Sequence, residues 1–121
     1  MNLFEGNVMQ EIHAGDTWGP CGNGNTFFRN MITREGIRIS DNSIEQNLVG
    51  NDLRKDNTAP FTQNDITIDA GINLLIHGNK VNNVVSWDTS LGTNNLIQSY
   101  YLNTAPFFFG SSPWPSLGPE Y

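Results

Sequence analysis

Basic residues are scarce. Six Lys plus Arg stand against twelve Asp plus Glu, for a formal net charge of −6. The six (Arg29, Arg34, Arg38, Arg54, Lys55 and Lys80) are scattered and form no stripe. Nucleic-acid binding draws its affinity from such a stripe, so that function is set aside. Cysteine is nearly missing. Cys21 stands alone, which excludes an internal disulfide and a paired-thiol metal site. His13 and His77 are the only histidines, too few to hold zinc without further ligands, so no metal is expected. No apolar run reaches the length of a membrane span, and no membrane partner is expected. The N-terminal MNLFEGNVMQ lacks the basic and apolar regions of a signal peptide and reads as a chain that begins inside a repeat. Helical periodicity is also missing, since no window places apolar residues at i, i+3, i+4 and i+7 through three turns.

What the chain has instead is asparagine, 17 residues in 121, with 12 glycines. Both favour turns and left-handed backbone over helix interiors. They sit in a repeat. Asn2-Leu-Phe-Glu-Gly-Asn7, Asn25-Thr-Phe-Phe-Arg-Asn30, Gln46-Asn-Leu-Val-Gly-Asn51 and Leu74-Leu-Ile-His-Gly-Asn79 align on the final Asn. Three positions earlier stand Phe4, Phe27, Leu48 and Ile76; two positions later stand Met9, Ile32, Leu53 and Val81. A degenerate fifth copy ends at Ser99, between Leu96 and Tyr101. Spacings of 23, 21, 28 and 20 residues between the closing positions match one turn of a β-solenoid. The pattern predicts an all-β fold, a right-handed parallel β-helix of about five coils. Corner asparagines Asn7, Asn30, Asn51 and Asn79 would adopt left-handed backbone and bond to one another along the stack.

One domain over 1–121 is expected, with coils over 1–104 and loops at 13–24 and 54–65. The tail, 105–121, holds four of the six prolines. Proline cannot donate to a β-ladder. Phe107, Phe108, Phe109 and Trp114 are therefore assigned to a C-terminal cap over the end of the core.

The runs NLFEGNVMQEI, WGPCGNGNTFFRN and GIRIS…QNLVGN, with the ending SYYLNTAPFFFGSSPWPSLGPEY, resemble the pectate-lyase-like right-handed β-helix superfamily. They look like the C-terminal coils of large secreted bacterial members. The resemblance spans essentially the whole chain and implies an extracellular location. That superfamily includes lyases, hydrolases and adhesins, so fold alone does not select an activity. A lyase would add Ca²⁺; otherwise no cofactor is implied.

No lyase or polygalacturonase signature is present to carry over. Asp16, Asp41, Asp52, Asp65, Asp69 and Asp88, with Arg29, Arg34 and Arg38, form no local motif and read as turn residues. Cys21 reads as inert. Trp18, Trp87, Asp16 and Arg38 are the carbohydrate-contact candidates, because exposed aromatics stack on sugar rings. The expected function is a non-catalytic structural or carbohydrate-contacting module. The alternatives are a polysaccharide lyase or glycoside hydrolase remnant, and a unit that self-assembles through an uncapped N-terminal coil. A homo-oligomer through exposed coil ends, and a polysaccharide, are the expected partners.

Overall fold

The structure is a computed structural model and describes residues 1–15, 17–54 and 64–121. Twelve short strands are described: β1 Leu3–Glu5, β2 Val8–Ala14, β3 Thr26–Phe28, β4 Met31–Ile39, β5 Ser43–Ile44, β6 Asn47–Val49, β7 Asp52–Leu53, β8 Ile66–Ile68, β9 Gly71–Ile72, β10 Leu75–His77, β11 Asn79–Val81 and β12 Val84–Ser86. Two single turns of 3₁₀-helix, Thr89–Leu91 and Phe107–Phe109, complete the regular structure.

The four aligned units become neighbours. Strands β1, β3, β6 and β10 form one sheet, paired in parallel so that Phe4, Phe27, Leu48 and Ile76 share a row. Strands β2, β4, β7 and β11 run in parallel in a second, six-stranded sheet, with Met9, Ile32, Leu53 and Val81 in register. Strand β8 pairs with the far half of β4, which aligns Ile12 with Ile37 and Ile66. Side chains alternate across a strand, and these rows all point inward. Ile12, Ala14, Phe27, Ile32, Ile37, Ile39, Leu48 and Leu53 make one buried apolar cluster.

The structure corrects the predicted fold class. It is mostly β, but it is not a five-coil right-handed parallel β-helix. Short strands are distributed over three sheets, of four, six and two strands, that mix parallel with antiparallel pairing and do not close into a solenoid. The reason lies at Val81-Asn-Asn-Val84. Asn82 and Asn83 both have left-handed backbone, with φ of 50° and 64°. Two successive such residues make the hairpin turn whose twist suits a two-residue β-connection. The chain therefore reverses, and β12 pairs antiparallel with β11. The degenerate fifth copy around Leu96, Ser99 and Tyr101 contributes no strand.

The corners differ from expectation as well. Left-handed backbone falls on the residue before each closing Asn: Gly6, Arg29, Gly50 and Gly78, with φ between 50° and 69°. The asparagines use their side chains. The Oδ1 of Asn30, Asn51 and Asn79 each accepts two bonds from the unit before it, from backbone N–H and Nδ2 together: Asn7 to Asn30, Asn30 to Asn51, and Asn51 to Asn79, all at 2.9–3.1 Å. A second polar ladder runs from Asn2 through Asn25 to Gln46.

The expected aromatic cap over the core end is also corrected. Phe107 and Phe108 are 96% and 72% exposed. Phe109 and Trp114 pack on each other, with ring centroids 4.9 Å apart, and neither belongs to the apolar core. The tail is fastened to the side of the four-stranded sheet. The Tyr100 ring meets Phe28 edge-on at 4.7 Å, and the Tyr100 N–H donates to Glu5 Oε2 at 2.9 Å. Arg29, buried at its corner, donates to Ile97 O at 2.9 Å and Leu117 O at 3.3 Å, and grips Glu120 with two bonds of 2.8 Å.

Candidate functional site

On β2, β4 and β8 the inward isoleucines alternate with outward polar residues. His13, Arg38 and Thr67 occupy one register row, at the ~4.8 Å spacing of adjacent strands. They border a shallow groove of about 300 Å³, which Glu11, Glu35 and Asp69 also line. Arg38 Nε donates to Asp69 Oδ2 at 2.5 Å, and both side chains stay about half exposed. Gly36 gives the groove its floor. It has φ of +80°, and a Cβ there would collide with the Asp65 backbone, so no side chain can occupy the position beside Glu35 without displacing β8.

His13 is the wall between this groove and a second hollow of about 390 Å³, lined by Gly15, Trp18, Gly19, Pro20 and Cys21. Trp18 stands 93% exposed on that loop. The structure thus brings Trp18 and Arg38 to adjoining hollows that share one histidine. Asp16 lies outside the described residues. Trp87 is elsewhere: it packs against His77 at a centroid distance of 5.0 Å and lines a different hollow, with Leu96 and Pro119.

A serine, a histidine and an aspartate meet beside the groove, but in the wrong order for acyl transfer. Ser40 Oγ donates to Asp41 Oδ2 at 2.7 Å and lies 3.0 Å from His13 Nε2. The one hydroxyl proton goes to the carboxylate, so His13 Nε2–H is the donor to Ser40. In a nucleophilic triad the histidine takes the serine proton and the acid holds the far side of the ring. Ser40 is also buried. The trio orients His13 at the groove wall.

The remaining sequence candidates serve the fold. Asp52 is buried and paired with Arg54. Asp65 accepts from the Ile66 N–H at 2.7 Å. Asp88 caps the first 3₁₀ turn, and the Ser90 hydroxyl and then the Ser90 N–H hold its carboxyl below the usual carboxylate range. His77 is buried and accepts the Asp88 N–H on Nδ1 at 3.1 Å. The Cys21 N–H donates to Ser43 Oγ, and its thiol receives Asn25 Nδ2 at 3.4 Å. Among the described residues, no group of three or more His, Cys, Asp or Glu could hold a metal ion, and no helix is long and apolar enough to cross a membrane.

Glu11, Glu35 and Thr67 did not stand out in the sequence as groove residues, and Asp69, one of the carboxylates weighed there, reads from the sequence as a turn residue. The available signal was alternation: Glu11-Ile-His13 puts one inward residue between two polar side chains, Ile37-Arg-Ile39 puts one polar side chain between two inward residues, and pairing those strands assembles the face. Comparison with protein-family models, with curated proteins and with solved structures finds no match to this chain.

Proposed function

We propose that this chain is a non-catalytic module that contacts a neutral polysaccharide through the outer face of β2, β4 and β8. The observation that carries the proposal is the register row His13–Arg38–Thr67, opening onto the exposed Trp18 loop. Saccharide recognition combines an aromatic face for the sugar ring with planar charged groups for its hydroxyls. Trp18 supplies the first. Arg38, paired with Asp69, supplies the second, as donor and acceptor side by side. Three carboxylates against one guanidinium line the groove, in a chain of net charge −6. That balance favours hydroxyl-rich neutral glycans over uronates, whose carboxylates would meet like charge. The Ser40 proton is committed to Asp41 and Asp69 is held by Arg38, which favours contact over turnover.

Affinity electrophoresis through neutral glycans, pectin and alginate tests the proposal. Retardation is expected in a neutral glycan. Trp18→Ala and Arg38→Ala should each weaken binding about tenfold, or ~1.4 kcal/mol, with circular dichroism confirming that both variants are folded. Variants retarded as strongly as the parent, or a parent retarded only by the uronates, would contradict it.

A further inference from the structure

The four-stranded sheet carries its own groove on the outer face, on a different sheet from His13 and Arg38. Leu3, Thr26, Asn47 and Leu75 form its register row, and Val49 and Tyr100 also line it. Its volume is about 390 Å³. Met1 and Asn2 line it as well, and none of these eight side chains is charged.

We infer that this groove receives Phe107 and Phe108 of a second copy of the chain. The two rings are 96% and 72% exposed and meet at a centroid distance of 5.8 Å on a single 3₁₀ turn. Their base is held: Phe109 packs on Trp114, and beyond it Glu120 is gripped by Arg29 and the Tyr121 carbonyl oxygen accepts from Lys80. A knob on an anchored base loses less freedom on docking than one on a loose tail.

Charge selects the occupant. Two copies of net charge −6 repel each other. From Thr89 to Pro119 the sequence has no charged residue, and the groove row has none either. An apolar knob and a groove of uncharged side chains, with Leu3, Val49, Leu75 and Tyr100 among them, can thus meet within an acidic chain without bringing like charges together. Tyr100 gives the entering rings an edge-to-face partner. The two surfaces differ, so the contact is head-to-tail and extends into chains or rings.

Sedimentation of the full chain from about 10 to about 500 μM, the range suited to a small apolar contact, tests the inference. The parent should show species larger than the monomer that grow with concentration. The double variant Phe107→Ser/Phe108→Ser loses the knob; Leu75→Lys, and independently Leu3→Lys, charges the groove. Each alone should stay monomeric, with circular dichroism melts confirming that it is folded. A knob variant mixed with a groove variant still owns one intact interface, so the mixture should form a one-to-one heterodimer and nothing larger. A parent that stays monomeric throughout overturns the inference. So does association that survives both kinds of substitution, as pairing at the β1 edge would, and so does a mixture that gives no heterodimer.

Discussion

Asn51→Ala should lower the folding free energy by about 4 kcal/mol, the sum of four buried hydrogen bonds at roughly 1 kcal/mol each. The Asn51 side chain is fully buried. It accepts from the Asn30 N–H and Nδ2 at 3.1 and 3.0 Å, and donates through Nδ2 to Asn79 Oδ1 and Phe27 O at 2.9 Å each. Truncation leaves two donors and a carbonyl buried without partners, where desolvation is not recovered. Asn51→Leu should be as harmful, because the same partners stay orphaned. Asn7 is the contrast. It is exposed, and its side chain only donates, to Asn30 Oδ1 and Glu5 O. Asn7→Ala should cost less than about 1 kcal/mol. Urea melts of both variants check the difference, and equal shifts would remove the ladder as the stabilising element.

Arg29→Met should release the tail. Arg29 is buried and supplies four bonds to residues 97, 117 and 120. Methionine keeps much of the volume and none of the donors, so the loss should be about 3 kcal/mol. The Phe107 arm should then become sensitive to proteases. Arg29→Gly separates two effects. It loses the same bonds and also the buried stem that methionine keeps. The roughly 1 kcal/mol gained by relieving the left-handed strain at φ 50° should be outweighed by a cavity cost of about 2 kcal/mol or more, leaving it the less stable of the two.

Glu120 adds a pH dependence. Burial, the largest single influence, would raise its pKa, but the Arg29 hydrogen bond, a backbone hydrogen bond and the Arg29 charge together outweigh it and leave the carboxyl below the usual carboxylate range. The docked tail therefore binds fewer protons than the free tail. Its stabilisation is complete above the free carboxylate value of about 4.3 and is lost as pH falls through the lowered docked value. The carboxylate is about half exposed, so solvent screening keeps this contribution modest. Acid-induced proteolysis of the arm checks it. The acid step should be present in the parent and absent from Glu120→Gln.

Much of the core was legible because its rows are fixed by distance from one residue. Counting back three from Asn7, Asn30, Asn51 and Asn79, and forward two, gives eight inward-facing positions. The second ladder was equally legible in principle, since Asn2, Asn25 and Gln46 stand five residues before the closing Asn. Arg29 was equally visible in principle, as the one corner where the other three units have glycine. A buried long-range role there justifies an arginine in a strained conformation. The topology was less legible. Asn82-Asn83 has the composition of another corner, yet two left-handed residues in succession reverse the strand. That local difference turned an expected continuing stack into a mixed arrangement of separate sheets. The tail misled for another reason. Proline and phenylalanine exclude a strand without saying where the chain goes, and its course depends on Arg29, 91 residues away from Glu120 in sequence. The polar groove needed the pairing of β2 with β4 and of β4 with β8, which no single segment displays.

The most direct test of the proposed contact face is an NMR titration of the isotope-labelled chain with a neutral oligosaccharide that retards it. Saturable shift changes should cluster at His13, Trp18, Arg38 and Thr67 and leave Leu3, Leu75 and Tyr100 unmoved. Changes centred on Leu3 and Leu75, or none at saturating oligosaccharide, would contradict a saccharide-contacting role for the β2–β4–β8 face.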